Sequence, residues 1–370
     1  MPRIANHYAV AAFASPPCAA RCLRAVVLVC LCVLLQSVSA LASITPPRLN
    51  EVFTRGTDGY ACFRIPSLVM LPDGTYLAFS EGRRNSCGDH GDVDIVAKTS
   101  LSPDGSTWSA LRVVRSESGP TSTTIGNPCP VLLRSGRIIL AFSRNNTEAM
   151  VIHSDDFGIS WSNSPVPLPV DKLWVWVATG PPAALQLPSG RVIVPIDFHG
   201  DPDPPHSSGS FYSDDEGSTW RVSPTSIPGG DECQAVAITW GAANDSVLLS
   251  MRSHATRRLA ALSTDGGITW SAPWQTIPET QCEASIIVLP SHPSGSPLLV
   301  QSSAFSSVRE RLTLHVSNDT GLTWLPALQI YAGSAAYSSL APVKDSPGSV
   351  ALLFEKDLYT DIVFTTSTVP

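Results

Sequence analysis

The chain has 370 residues, of which 43% are hydrophobic and 15% charged, and a formal net charge of −7. That length suits one large all-β domain or two ordinary ones, and an acidic balance with no basic stripe speaks against nucleic-acid binding. Pro (32) and Gly (25) are plentiful, which favours many turns, and Trp (9) outnumbers Tyr (7).

Residues 1–40 carry Arg3, Arg21 and Arg24 and no acid, followed by AVVLVCLCVLLQSVSA at 25–40. The apolar part has the length of a signal-peptide core and is short for a membrane span, and Val38-Ser39-Ala40 offers small residues for cleavage. The expectation is a signal peptide over 1–40, with an uncleaved signal anchor as the alternative, and a domain over 41–370. The protein would then be secreted, or lumenal or lysosomal. No later segment is apolar and long enough to span a bilayer. Cys18, Cys22, Cys30 and Cys32 leave with the signal; Cys62, Cys87, Cys129, Cys233 and Cys282 remain, an odd number without zinc-like spacing. Sequons stand at Asn145, Asn244 and Asn318.

Five segments then share the template S-x-D-x-G-x-T-W: SPDGSTW (102–108), SDDFGISW (154–161), SDDEGSTW (213–220), STDGGITW (263–270) and SNDTGLTW (317–324). Their aspartates, 104, 156, 215, 265 and 319, are 52, 59, 50 and 54 residues apart. The first box is one residue short, and the second has Ser160 in place of Thr. Six turn-plus-strand segments interleave with the boxes, from LPDGTYLAF (71–79) to KDSPGSVALLF (344–354). A repeat of this length with several strands per unit signals a β-propeller. The expected fold is all-β, a six-bladed β-propeller of four-stranded antiparallel blades, the sixth closed by an N-terminal strand. The box aspartates read as structural: a carboxylate collects turn amides, Gly takes the strained backbone position, and Trp covers the hairpin.

Charged residues interrupt the strands where a propeller would bind ligands. Arg64 precedes the first hairpin strand, and Glu81 and Arg83 end it. Asp89, Asp92 and Asp94 follow. Glu232 opens the fourth unit, Arg252 ends LLSMRSH, Arg309 and Arg311 flank Glu310, Tyr337 lies in SAAYSSL, and Glu355 ends ALLFEK. Three arginines in one pocket call for an anion, and a carboxylate gripped by guanidinium forks is the natural ligand. His90, His199, His206 and His254 are scattered without metal spacing, so no metal or other cofactor is expected. DPDPPH (201–206) reads as a rigid exposed loop.

With FRIP (63–66), the repeated boxes, AFSEGRRNSCGDHGDVDIV, WVWVATGPP, DECQ, SMRSH, SAAYSSL and LLFEK, the chain resembles an exo-sialidase (neuraminidase) from about residue 55 to 365. The resemblance implies retaining hydrolysis of terminal sialic acid from a sialylated glycoconjugate. It implies that Arg64, Arg252 and Arg309 bind the sugar carboxylate, with Arg311 as the alternative third. It further implies that Asp89 is the acid/base, with Asp92 as the alternative, that Tyr337 is the nucleophile with Glu232 as its partner, and that Glu355 orients Arg64. Glu81 and Arg83 resemble rim residues near the sugar. The competing readings are a non-catalytic Asp-box binding module and a trans-sialidase or a hydrolase of a related nonulosonic acid. Cys233–Cys282 is the favoured disulfide and Cys62–Cys87 the weaker one.

Overall fold

The computed structural model describes residues 47–370 apart from 118–121, 201–205, 239–244, 279–280 and 291. The segment 1–40, the Asn244 sequon and most of the DPDPPH loop lie outside the described residues. Those described form strands and turns with no helix, so none is long and apolar enough to cross a membrane.

The strands assemble into antiparallel sheets in a propeller-like arrangement. The first sheet joins Cys62–Met70, Tyr76–Arg83, Val93–Thr99 and Arg112–Arg115; the second joins Ile125–Leu132, Ile138–Arg144, Glu148–Ser154 and Val166–Pro167. The third is built on Val192–Gly200 and the fourth on Val247–Ser253. A seven-stranded sheet follows, in which Leu325–Pro342 pairs through its first half with Glu310–Ser317 and through its second half with Ser349–Lys356. The far edge of that sheet is the N-terminal strand Asn50–Thr54, paired with Asp361–Thr368, as expected for a ring closed by its own beginning.

The second strand of each sheet explains the unbroken apolar runs of the sequence. Tyr76–Arg83, Ile138–Arg144 and Leu298–Ala304 are buried nearly throughout, because neighbouring sheets cover both of their faces. Six innermost segments, 68–70, 130–132, 183–185, 234–237, 286–288 and 340–342, line one axial cavity. Side chains stitch these segments together. Ser285 Oγ donates to Gln234 Oε1 and accepts from Leu340 N, and Leu68 N donates to Ser339 Oγ.

The Asp boxes behave as read. In the third, Asp215 accepts from Thr219 N (2.8 Å), Thr219 Oγ1 (2.6 Å) and Ser213 Oγ (2.8 Å), and the Trp220 indole donates to Gly217 O (3.0 Å). The short first box keeps the cap in a tighter form: Asp104 accepts from Ser106 N, two residues on instead of four. The box glycines carry a second duty that the template does not reveal. Each has positive φ, and a Cβ would meet a side chain of the preceding sheet: Phe364 at Gly105, Leu77 at Gly158, Ile139 at Gly217, Ile193 at Gly267 and Leu248 at Gly321. The boxes therefore lock sheet against sheet around the ring.

The cysteines correct an expectation. Cys62 pairs with Cys87 at 2.00 Å, while Cys233 and Cys282, the favoured pair, are buried thiols not joined to each other. The loop after Arg83 folds back to bring Cys87 beside the strand of Cys62, a contact that sequence separation does not disclose.

Gly217→Ala forces a side chain into a left-handed φ of 86° and against Ile139 Cδ1 at 2.6 Å. It is expected to destabilise the protein by about 2 kcal/mol or more, read as a lowered midpoint in urea; an unchanged midpoint refutes the locking role.

Candidate active site

The site is built from backbone irregularities. Four innermost strands break register next to their functional residues: between Arg64 and Ser67, Gly126 and Cys129, Gly230 and Cys233, and Ala335 and Ser338. A bulge inserts an unpaired residue and re-aims its neighbours. The first is the FRIP motif itself. Ile65 takes a φ of 58° and Pro66 needs no ladder donor, so the strand leaves its regular course directly after Arg64. The other bulges carry Asn127, Asp231 with Glu232, and Ala336 with Tyr337.

Glu355, fully buried, ties two of these bulges together. Its Oε1 accepts from Arg64 Nε at 2.6 Å and from Ile65 N at 2.9 Å, and its Oε2 accepts from Tyr337 N at 3.1 Å. The Arg64 guanidinium then lies over the rings of Tyr359 (4.0 Å) and Tyr337 (5.1 Å). Arg309 lies over Tyr337 at 5.3 Å and donates to the Tyr359 hydroxyl at 3.1 Å. Arg252 donates from Nη1 to the Tyr337 hydroxyl (3.1 Å) and to Glu232 Oε2 (2.8 Å). Three arginines from distant parts of the chain thus converge on one phenol. Arg311, the alternative to Arg309, is exposed instead.

The Tyr337 hydroxyl donates to Glu232 Oε1 in a short contact. Burial, then the Glu232 charge, pushes the phenol well above its ordinary value, so it is neutral at physiological pH. Burial also pushes the Glu232 carboxyl up, with Arg252 opposing and Asp231 adding to it. The pair is a hydroxyl and a carboxylate of raised basicity sharing one proton.

Asp89 stands at the mouth, its side chain 71% exposed, 2.8 Å from Arg83 Nη1 and 3.8 Å from Arg64 Nη1. Partial burial pushes its carboxyl up, but Arg83, by charge and hydrogen bond, and Arg64 outweigh this and hold it below the ordinary carboxylate value. Asp92, the alternative, is half-buried and makes no such contact among the described residues. Glu81 and Arg83 depart from the expected rim position. Both are buried, because Arg83 is clamped between Glu81 Oε2 (2.7 Å) and Asp89, while Glu81 Oε1 accepts from Asn127 N (2.8 Å) at the second bulge. They form the wall beneath Asp89.

Three contributors escaped the sequence reading. Tyr359 sits in a run of three positive-φ residues, Asp357 to Tyr359, which no turn motif announces. Asp231, beside Glu232, lies 3.3 Å from Arg252 Nε. Glu283 accepts from Ser338 N at 2.7 Å, the amide after Tyr337's own residue. The run CEAS, an acid opening an inner strand as in DECQ, was the available signal for it. His199, His206 and His254, scattered in sequence, are adjacent in space, with ring centroids 4.6 Å and 5.1 Å apart.

Removing Glu355 by Glu355→Ala strands Arg64 and two amides in a buried place. It is expected to cost about 3–5 kcal/mol in denaturant unfolding; a loss under about 1 kcal/mol contradicts the tie described above. Glu283 supplies a pH signature. Burial raises its carboxyl well above the ordinary value, so the folded state holds the proton more tightly. Its stabilisation is full below about pH 4.3 and is lost as pH rises through the folded value. Glu283→Gln should flatten the decline of Tm with rising pH; an unaltered slope excludes Glu283 as its source.

Comparison with known proteins places the fold. Residues 74–351 match the family model described as "BNR repeat-like domain". A sialidase of Micromonospora viridifaciens is 29% identical over 348 residues, 83% of this chain and 52% of that protein. Human Sialidase-4 is 30% identical over 292 residues, 68% of this chain and 59% of that protein. The chain thus spans between half and three fifths of the length of these curated relatives. Among solved structures, the Hadza microbial sialidase Hz136 superposes with a TM-score of 0.77 at 25% identity, covering 86% of this chain and 68% of that one. Trypanosoma rangeli sialidase, at 20% identity and a TM-score of 0.69, covers 85% of this chain and 55% of its own and shares the fold. The chain belongs to the BNR repeat-like domain family, and these relatives are sialidases.

Proposed function

We propose that the protein is a retaining exo-sialidase that hydrolyses terminal sialic acid from glycoconjugates on a six-bladed propeller. In that count Leu325–Pro342 serves twice, as the outer strand of the fifth blade and the inner strand of the sixth. The observation that carries the functional reading is the Tyr337 hydroxyl bonded to Glu232 and surrounded by Arg64, Arg252 and Arg309.

The substrate carries a carboxylate on its anomeric carbon. An anionic nucleophile would be repelled there, whereas a neutral phenol is not; tyrosine nucleophiles are a recognised exception among glycosidases for this family. The three guanidinium groups hold the carboxylate and orient the ring. Tyr337 Oη attacks the anomeric carbon as its proton passes to Glu232, and Asp89 gives a proton to the departing glycosidic oxygen. Asp89 then takes a proton from water, which attacks the same carbon, and Glu232 returns its proton to the released phenolate. Two displacements retain configuration. Asp89 must be protonated to start, yet the free site holds it ionised. The bound carboxylate offsets the positive charge of Arg64 and lets the Asp89 carboxyl rise. A binding module would need neither Asp89 nor the Tyr337–Glu232 pair.

We also propose that residues 1–40 direct the chain into the secretory route; the Cys62–Cys87 disulfide supports this, since such bonds persist in oxidising compartments.

The test is turnover of sialosides with good and poor leaving groups. Tyr337→Phe should lower kcat by about a thousandfold or more on both. Asp89→Ala should lower it by roughly 10²–10⁴ on an alkyl glycoside and far less on an aryl one, which leaves unaided. Wild-type protein that binds sialosides without turnover would remove the enzyme reading, and equal losses on both substrates would remove Asp89 as the acid.

A further inference from the structure

Beside Glu232, on the side of the pocket away from Arg64, the fold gathers residues that the proposed reaction does not use. Asp197 comes from Val192–Gly200, His206 from just before Ser207–Ser213, Asp231 from the third bulge, and His254 from the turn after Val247–Ser253. All four line the same pocket as Glu232 and Arg252. We propose that His206, Asp231 and His254 form a site for a divalent transition-metal ion, with zinc as the fitting occupant.

Geometry is the first support. One ligand atom from each of the three lies within 4.8 Å of the other two. His254 Nε2 is 3.3 Å from Asp231 Oδ2, and His206 Nδ1 is 4.0 Å from Asp231 Oδ1. Such separations are long for hydrogen bonds. The first is close to the ligand-to-ligand edge of a tetrahedron with ~2.1 Å bonds, about 3.4 Å, while the second runs to the other carboxylate oxygen and is wider. The His254 side chain is 54% exposed and the His206 side chain 24%, so both rings have room to turn toward an ion.

The second support is Asp197. It is buried, lines this pocket, and its Oδ1 has no hydrogen-bond partner among the described residues. Its Oδ2 accepts from the Trp176 indole (2.9 Å) and lies 3.5 Å from His206 Nδ1. Asp197 and Asp231 thus face the same ring nitrogen of His206, and the unpartnered Oδ1 of Asp197 offers a further carboxylate oxygen to an ion held there. Charge points the same way. Asp197, Asp231 and Glu232 crowd three carboxylates against one guanidinium, Arg252, and a dication balances the excess. Two imidazoles with one carboxylate suit zinc, whereas calcium and magnesium prefer oxygen. Three protein ligands leave one position open to the pocket.

The metal would act on turnover, a consequence that rests on the sialidase reading. Asp231 is held 3.3 Å from Arg252 Nε. A cation drawing Asp231 away, and adding positive charge beside Glu232, would loosen both partners of Tyr337. Zinc should therefore inhibit, reversibly by chelator.

The test titrates the intact protein with Zn2+ alone by calorimetry and with Co2+ by visible absorption. One ion per chain with a tetrahedral cobalt spectrum is expected, and His254→Ala and His206→Ala should each weaken Zn2+ binding tenfold or more. Absence of binding up to about millimolar metal, or binding unchanged in both variants, overturns the site. Thermal unfolding of each variant separates loss of ligand from loss of fold. Binding does not depend on turnover. An inactive protein that takes up zinc through these residues would refute the enzyme reading alone, and an active one that ignores zinc would refute the metal site alone.

Discussion

The Glu355 carboxylate, caged between Arg64 and the amides of Ile65 and Tyr337, joins the first inner strand to the last one. Closing the ring and assembling the reactive centre are therefore one event. A buried ion pair of this sort contributes little net stability when intact but costs heavily when halved. Its value here is placement: the guanidinium is fixed by Nε and lies over two rings, and its Nη1 stands 3.8 Å from Asp89. The contacts of Tyr337 with Glu232 and Arg252 stand beside that anchorage, since the Glu355 Oε2 bond to Tyr337 N fixes the backbone from which the phenol projects.

The bulges explain how a regular scaffold yields an irregular centre. A pleated strand alternates its side chains between two faces, both covered by neighbouring sheets, so nothing on it points along the axis. An inserted residue breaks that alternation. Four strands do so at the same end of the ring, which concentrates polar side chains there and leaves the remainder of each sheet free to pack. The acids and bases of the site accordingly stand on stiff strands, with Asp89 alone on a loop, tethered by the nearby Cys62–Cys87 bridge.

Much of this was legible in the sequence. The Asp boxes announce themselves because their chemistry is local: donor and acceptor are four residues apart. Arg64, Arg252, Glu232 and Glu355 stood out as charges in or at the ends of apolar strands, where a charge is costly without a partner, and their grouping with Arg309 and Tyr337 came from the family resemblance. Legibility ended where the determinant was a contact across sheets. The packing of box glycines on a foreign strand, the burial of Glu81 and Arg83, the choice of Cys62–Cys87 over Cys233–Cys282, and the meeting of His206 with His254 all join residues whose separation along the chain carries no signal. Tyr359 was missed for a different reason, since a run of left-handed residues without glycine has no compositional mark.

The Asn50–Thr54 strand, seated at the edge of the last sheet, makes completion of the protein an all-or-nothing affair in time. During synthesis it emerges before its partner and must wait until Asp361–Thr368 has left the ribosome. Throughout that interval an edge of sheet and the apolar residues Val52 and Phe53 stay uncovered. Pairings so remote in sequence form slowly, and exposed edges invite association with other chains. The nascent chain should thus depend on chaperones until Asp361–Thr368 arrives, and loss of that one strand would leave both Asn50–Thr54 and Ser349–Lys356 without a partner on that side.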